Sequence, residues 1–169
     1  MSKVLDFILG STYPEEIAHV YTDGQSAYRL GEVREALGKK DLTKTEETKL
    51  KKEEKALKDK LSKTRLEFHF QGLAPGARET IFKLVEEKAE KEGWDDSVKA
   101  EQLTGHLYAA IIKRVIGPDG EEMEQDWTPE DVLQVFSTLP NGATSDFIDR
   151  ANKVTVRSID FDRAHDVSF

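Results

Sequence analysis

The fold is decided by the stretch Arg65-Leu66-Glu67-Phe68-His69-Phe70-Gln71-Gly72. Its apolar residues Leu66, Phe68 and Phe70 alternate with polar ones, so an extended chain here has one apolar face and one polar face. Gly72 interrupts the alternation and marks its end. The sequence therefore predicts a strand over residues 65–71 that turns one face toward an apolar core.

A shorter strand is predicted upstream, at Ile17-Ala18-His19-Val20-Tyr21. This stretch is rich in β-branched and aromatic residues, and the turn signal Asp23-Gly24 follows it. The segment after the turn is expected to be helical, because Leu30, Val33 and Leu37 recur at helical spacing. We expect the two strands to pair antiparallel as a wide hairpin around this helical insertion. A sheet of two strands needs helices on one face to be stable.

The most biased part of the insertion is a charged helical arm, predicted over residues 41–63. Residues 44–63 contain eight Lys against four Glu and one Asp, a local charge of +3, while the whole chain carries −8. The rest of the chain therefore carries −11. Lys and Glu favour helices, and no Gly or Pro interrupts the run. The sequence predicts a long, mildly basic helix on an acidic body.

The arm has one narrow apolar stripe, formed by Leu50, Leu57 and Leu61 with Ala56 beside it. This stripe is too narrow for burial on two sides, so the helix is expected to protrude or to lie along a surface. It is compatible with a solvated helix held by ion pairs four residues apart, with docking on the chain's own body, or with a coiled-coil-like contact to a partner. We assign Leu50, Leu57 and Leu61 as candidate partner-binding residues.

The chain after the second strand is predicted to be mostly helical. Pro75 opens one helix, Gly93 stops it, and Thr128-Pro129-Glu130-Asp131 has the pattern of a capped helix start. The expected helices span residues 75–92, 97–116, 129–139 and 145–154, with a short one at 3–9; residues 121–126 are expected to form an acidic loop or a weak strand.

These elements predict a single α+β domain over residues 1–169. It is expected to be mostly helical, with a small two- or three-stranded sheet covered by helices and with the charged helix protruding. Residues 156–169 have no clear period, so we expect an extended C-terminal tail or an added strand.

Composition narrows the class of protein. The 169 residues include no Cys, which excludes disulfides and thiolate metal sites. A net charge of −8 argues against general nucleic-acid binding, which normally needs a basic face. No run approaches the ~18 apolar residues of a membrane span, and the start of the chain does not resemble a signal peptide. We expect a cytosolic protein without a nucleic-acid or membrane partner.

Motifs for catalysis or cofactor binding are missing from the sequence. The four histidines, His19, His69, His106 and His165, are far apart along the chain and are interpreted as ordinary polar or half-buried side chains. There is no Gly-x-Ser-x-Gly elbow and no phosphate-binding loop. The acidic pairs lie in polar surroundings, and Asp160-Phe161-Asp162 is too sparse to indicate a cation site. We predict no catalytic, cofactor or metal site, and no enzyme.

The order of these features resembles a known family of binding proteins. A short strand and a charged helical segment precede the stretch from Thr64 to Arg78, and a Thr-Pro-Glu-Asp helix and a Leu-Pro turn come near the end. This order resembles the tail assembly chaperones of long-tailed bacteriophages over roughly residues 14–155. Residues 156–169 depart from the family's pattern. If they lie outside the shared part, they are a linker or a further partner surface.

The resemblance implies binding to other phage structural proteins in the host cytoplasm. The expected partner is the tape measure protein, a very long helical chain whose apolar stripes are exposed until the tail tube encloses it. The family has no catalytic residues and no cofactor, and helix-in-groove binding would suit its task. Self-association into a homo-oligomer is a further expectation. The alternative function is that of a structural virion component, such as a connector, minor tail or capsid-associated protein.

Overall fold

The structure, a computed structural model, describes residues 12–123, 126–140 and 142–155. Within these ranges four antiparallel strands form one sheet in chain order: β1 (Glu15–Tyr21), β2 (Arg65–Gln71), β3 (Ile112–Ile116) and β4 (Glu122–Met123). Six helices accompany them: α1 (Gly24–Leu37), α2 (Lys44–Ser62), α3 (Pro75–Glu92), α4 (Asp96–Ile111), α5 (Pro129–Thr138) and α6 (Ser145–Thr155). The prediction of a mostly helical α+β fold is confirmed.

The wide hairpin of β1 and β2 is also confirmed. The two strands pair without interruption from Glu15 opposite Gln71 to Tyr21 opposite Arg65. Beyond the last pair, the Thr22 amide still donates to the Thr64 carbonyl oxygen at 3.2 Å. The ends of the insertion are therefore held together by the sheet itself.

The prediction of one helix over residues 97–116 is wrong in its last part. The helix α4 ends at Ile111, and residues 112–116 form β3, which places Val115 opposite Phe68. The β-branched residues Ile112, Val115 and Ile116 favour an extended chain, and pairing with the free side of β2 supplies the missing backbone partners. The sheet consequently has four strands where two or three were expected, and β4 lies in the segment expected to be a loop or weak strand.

An aromatic cluster forms the centre of the core on the inner face of the sheet. The ring of Phe147 on α6 lies 5.0 Å from Phe68 and 4.8 Å from Phe70, both in edge-to-face geometry. Tyr108 on α4 and Phe136 on α5 complete the cluster, at 5.8 and 5.4 Å from Phe147. Edge-to-face pairs add to the free energy gained from burial, so Phe147 joins the sheet to three helices.

Polar contacts also fasten α6 to the edge strand β1. The backbone amide of His19 donates to the Asp146 carboxylate at 2.7 Å. Arg150 donates to Glu16 at 2.7 Å and to Asp146 at 3.2 Å. The α6 helix therefore covers the face of the sheet and satisfies part of its edge.

The insertion between β1 and β2 is a helical hairpin, made of α1 and α2, which pack chiefly on each other. Its base approaches the body where α1 begins. A Cβ atom at Gly24 would lie only 2.6 Å from Cγ of Pro140, so glycine allows this close approach. The buried apolar residues of the hairpin, Leu30, Val33 and Leu61, are not members of the main core cluster.

Several predictions fall outside the described residues: the helix at 3–9, the tail at 156–169, the Asp160-Phe161-Asp162 group and His165. The helix start at Thr128 is confirmed, because Thr128 and Asp131 form a reciprocal capping box. No helix in the described ranges is both long enough and apolar enough to cross a membrane.

The aromatic cluster predicts a large difference between two neighbouring positions on α6. We expect Phe147→Ala to lower the free energy of unfolding by about 3–5 kcal/mol, because it removes a buried ring and leaves a cavity. Ile148→Ala is the matched control, since Ile148 is exposed. Urea unfolding followed by circular dichroism measures both. Equal effects would contradict the central role of Phe147.

The hairpin predicts that the body folds without it. Replacing residues 23–63 by Asn-Gly joins Thr22 to Thr64 through a two-residue turn that suits the existing strand pair. We expect a single cooperative thermal transition, with a melting temperature close to that of the parent. A loss of cooperativity would show that the hairpin is needed to form the core.

Candidate functional site

The three leucines predicted to bind a partner lie in an intramolecular seam. Leu61 is buried, and Leu50 and Leu57 are half-buried, on the helix α2 whose main neighbour is α1. On the other side of the seam α1 buries Leu30 and Val33. The apolar stripe is therefore used to close the hairpin, and its role in binding a partner stays a prediction.

Ion pairs follow this seam along its length. Arg29 reaches Glu53 at 2.7 Å, and Arg34 reaches Glu54 at 3.3 Å. At the base, Lys60 lies 3.0 Å from Asp23. These pairs join α1 to α2 and fix their register more than their stability, since exposed pairs contribute little.

Asp23 also caps the start of α1. Its carboxylate accepts hydrogen bonds from the backbone amide and the hydroxyl of Ser26, at 2.9 and 2.7 Å. These two bonds, followed by the Lys60 ammonium, lower the pKa of Asp23 to about 2. The carboxylate is therefore charged at neutral pH, and it caps α1 while it holds α2.

The seam gives a direct test of the leucine stripe. We expect Leu50→Ser, Leu57→Ser and Leu61→Ser together to lower the helical circular dichroism signal and to leave the body's cooperative transition in place. The matched control is the variant with Lys49→Ser, Lys52→Ser and Lys55→Ser together, because these three lysines are exposed on the same helix. If the leucine variant keeps full helicity and loses only self-association or partner capture, the stripe serves a partner.

A second surface is an apolar groove of about 560 Å³ between the sheet and α5. Its floor is formed by Val20, Leu66, Phe68 and Val115 on the inner face of three strands. Met123, Trp127, Val135 and Leu139 complete its apolar lining. The helices α6 and α4 contact the strands directly, and the groove lies where residues of α5 and of the segment before it face the sheet.

The groove combines aromatic walls with an acidic rim. The ring of Trp127 lies 5.5 Å from that of Phe68, and Met123 is 48% exposed. Among the described residues that line the groove, the charged ones are both carboxylates, Asp126 and Asp131. Hydrogen bonds from the Thr128 hydroxyl and backbone amide lower the pKa of Asp131, so it is negative at neutral pH. The surface suits an apolar ligand that also carries positive charge.

The outer face of the sheet brings together two histidines that are 50 positions apart in the chain. Pairing of β1 with β2 places His19 opposite Glu67, and His69 two residues along. His19 Nε2 lies 3.7 Å and His69 Nε2 3.8 Å from the Glu67 carboxylate, which Arg65 also contacts. Nε2 of His69 is buried and makes no hydrogen bond to a described residue. The spacing of these residues along the sequence does not predict this cluster, because the cluster depends on the register of β1 and β2.

No metal centre emerges from this cluster. Within the described ranges, no three His, Asp or Glu side chains are grouped so that they would hold a metal ion. His106 on α4 is half-buried, and burial, followed by the charge of Lys88, lowers its pKa. The interpretation of the described histidines as polar or half-buried side chains agrees with these positions.

Neither family models, curated proteins nor solved structures give a match to this chain.

Proposed function

We propose that this chain is a protein-binding module that acts as a bacteriophage tail assembly chaperone. It binds apolar helical segments of the tape measure protein in the host cytoplasm and releases them as the tail is built. The observation that carries the proposal is the open apolar groove beside Trp127. The resemblance of residues 14–155 to this family supplies the partner.

The groove has the dimensions of a protein-contact site. A volume of about 560 Å³ accommodates a few side chains of an incoming helix. An amphipathic helix laid in an apolar groove is read through residues three and four apart. The groove side of α5, with Val135 and Leu139 one turn apart, offers a ridge along which such a helix would pack.

A chaperone must hold its partner reversibly. A contact confined to this groove would bury a small surface, and small interfaces are typical of transient complexes. The net charge of −8 adds solubility, because each bound copy would bring negative charge to an aggregation-prone helix. Both properties support temporary protection of a long helical chain more than a permanent structural contact.

Co-expression tests the proposal. We expect the tape measure protein of the same tail gene module to accumulate in the soluble fraction only when this chain is present, and the two to co-purify. A variant with residues 23–63 replaced by Asn-Gly separates the contribution of the hairpin from that of the body. A tape measure protein that stays insoluble with the intact chain would contradict the proposal.

Mass spectrometry of purified phage particles separates the two candidate functions. A chaperone leaves before the particle is complete, so its peptides should be missing from particles that contain the tape measure protein. The alternative, a structural virion component, predicts this chain at a fixed ratio to other tail proteins. Its presence at such a ratio would replace the chaperone proposal.

A further inference from the structure

We propose that the groove selects basic amphipathic helices, in which an apolar side chain enters beside Trp127 and a Lys or Arg reaches Asp126 and Asp131. This inference rests on the proposed function and specifies the chemistry of its partner. It commits to one occupant, a helical segment of the partner chain with apolar residues on one face and cations next to them.

The apolar part of the selection follows from the lining. The half-buried Trp127 and Leu139 present aromatic and aliphatic surface above the buried ring of Phe68, and the exposed Met123 adds a flexible, polarisable side chain. Methionine adapts to side chains of different shape, so the groove would accept Leu, Ile, Phe or Met without strict identity. Such tolerance suits a partner that offers many similar apolar turns.

The charged part follows from the rim. Asp126 and Asp131 are exposed, and no described residue lining the groove carries a positive charge. A cation flanking the inserted apolar residue gains two carboxylates, whereas an acidic residue there is repelled. Charge thus chooses among apolar helices of similar shape.

A helix fits this surface better than an added strand. One edge of the sheet, β4, spans only Glu122–Met123, and at the other edge the His19 amide of β1 already donates to Asp146, so the sheet offers little edge for strand addition. The α5 side, by contrast, repeats its groove residues at helical spacing, from Asp131 through Val135 to Leu139. A partner helix alongside α5 would place its apolar residues against Val135 and Leu139 and its cations near Asp131.

The chain has two tryptophans, so Trp94→Phe leaves Trp127 as the only indole and as a reporter inside the groove. The probe is an 18-residue helical peptide with Leu on one face and Lys beside it. Its twin carries Glu in place of Lys. We expect saturable change in Trp127 emission with the Lys peptide, at least about tenfold weaker binding of the Glu peptide, and weakening by added salt.

Two groove variants locate the binding. Thr138→Phe fills the mouth of the groove from α5 and is expected to weaken the Lys peptide at least about tenfold. Ser137→Phe, at the adjacent exposed position outside the lining, is the matched control and should bind as the parent does. Asp126→Lys should remove the preference for the Lys peptide, because the new cation offsets the remaining negative charge of Asp131. Circular dichroism melts confirm that each variant is folded.

Other outcomes overturn the inference. Equal affinity for the two peptides would remove the charge selection, and equal effects of Thr138→Phe and Ser137→Phe would remove the groove. If the Lys peptide binds only to a chain that ends at Thr155, residues 156–169 are the natural occupant of the groove. Concentration-dependent self-association that the Lys peptide does not compete with would assign it to a second copy. Co-expression that still solubilises the tape measure protein in these cases would leave the chaperone function standing on another surface.

Discussion

The packing of Phe147 against Phe68 and Phe70 is the contact on which the rest of the structure depends. The central strand β2 contributes both strand rings, and α6 contributes the ring that meets them edge to face. The Asp146 carboxylate on the same helix accepts a hydrogen bond from the edge amide of His19, so one helix fixes both a face and an edge of the sheet. With β2 held in this way, β1 and β3 pair on its two sides, and α4 and α5 pack around Phe147.

Because β1 and β2 are in register up to Tyr21 and Arg65, the strand pair is complete before the insertion begins. This arrangement allows an acidic protein to contain a long, lysine-rich hairpin between two paired strands. The hairpin closes its own leucine seam, and the ion pairs between α1 and α2 lie within the hairpin. Most of its lysines are exposed, so they carry positive charge on the surface of the hairpin.

Much of the fold could be predicted from local patterns: the alternation in β2, the β-branched and aromatic residues of β1, and the cap at Thr128. The Asp23-Gly24 pair, predicted to be a turn, instead starts α1, with Asp23 as its N-cap. The strand β3 could not, because Ile111, Ile112 and Val115 continue the helical spacing of α4, and only pairing with Phe68 makes residues 112–116 extended. The groove was missed because strands, a loop and α5 form it together, and no periodic signal marks Trp127. The leucine stripe was recognised, but its partner within the chain, α1, could not be identified from the stripe alone.

The groove and the core share one side chain, Phe68. Its ring contacts Phe147 on the core side and Trp127 on the groove side, at 5.0 and 5.5 Å. A ligand in the groove would therefore press on the ring that holds the sheet to α6. Since a ligand that binds only the native state stabilises it, occupancy of the groove and stability of the core must rise together. The packing of one aromatic ring therefore connects the groove with the core, and this connection requires no change of conformation.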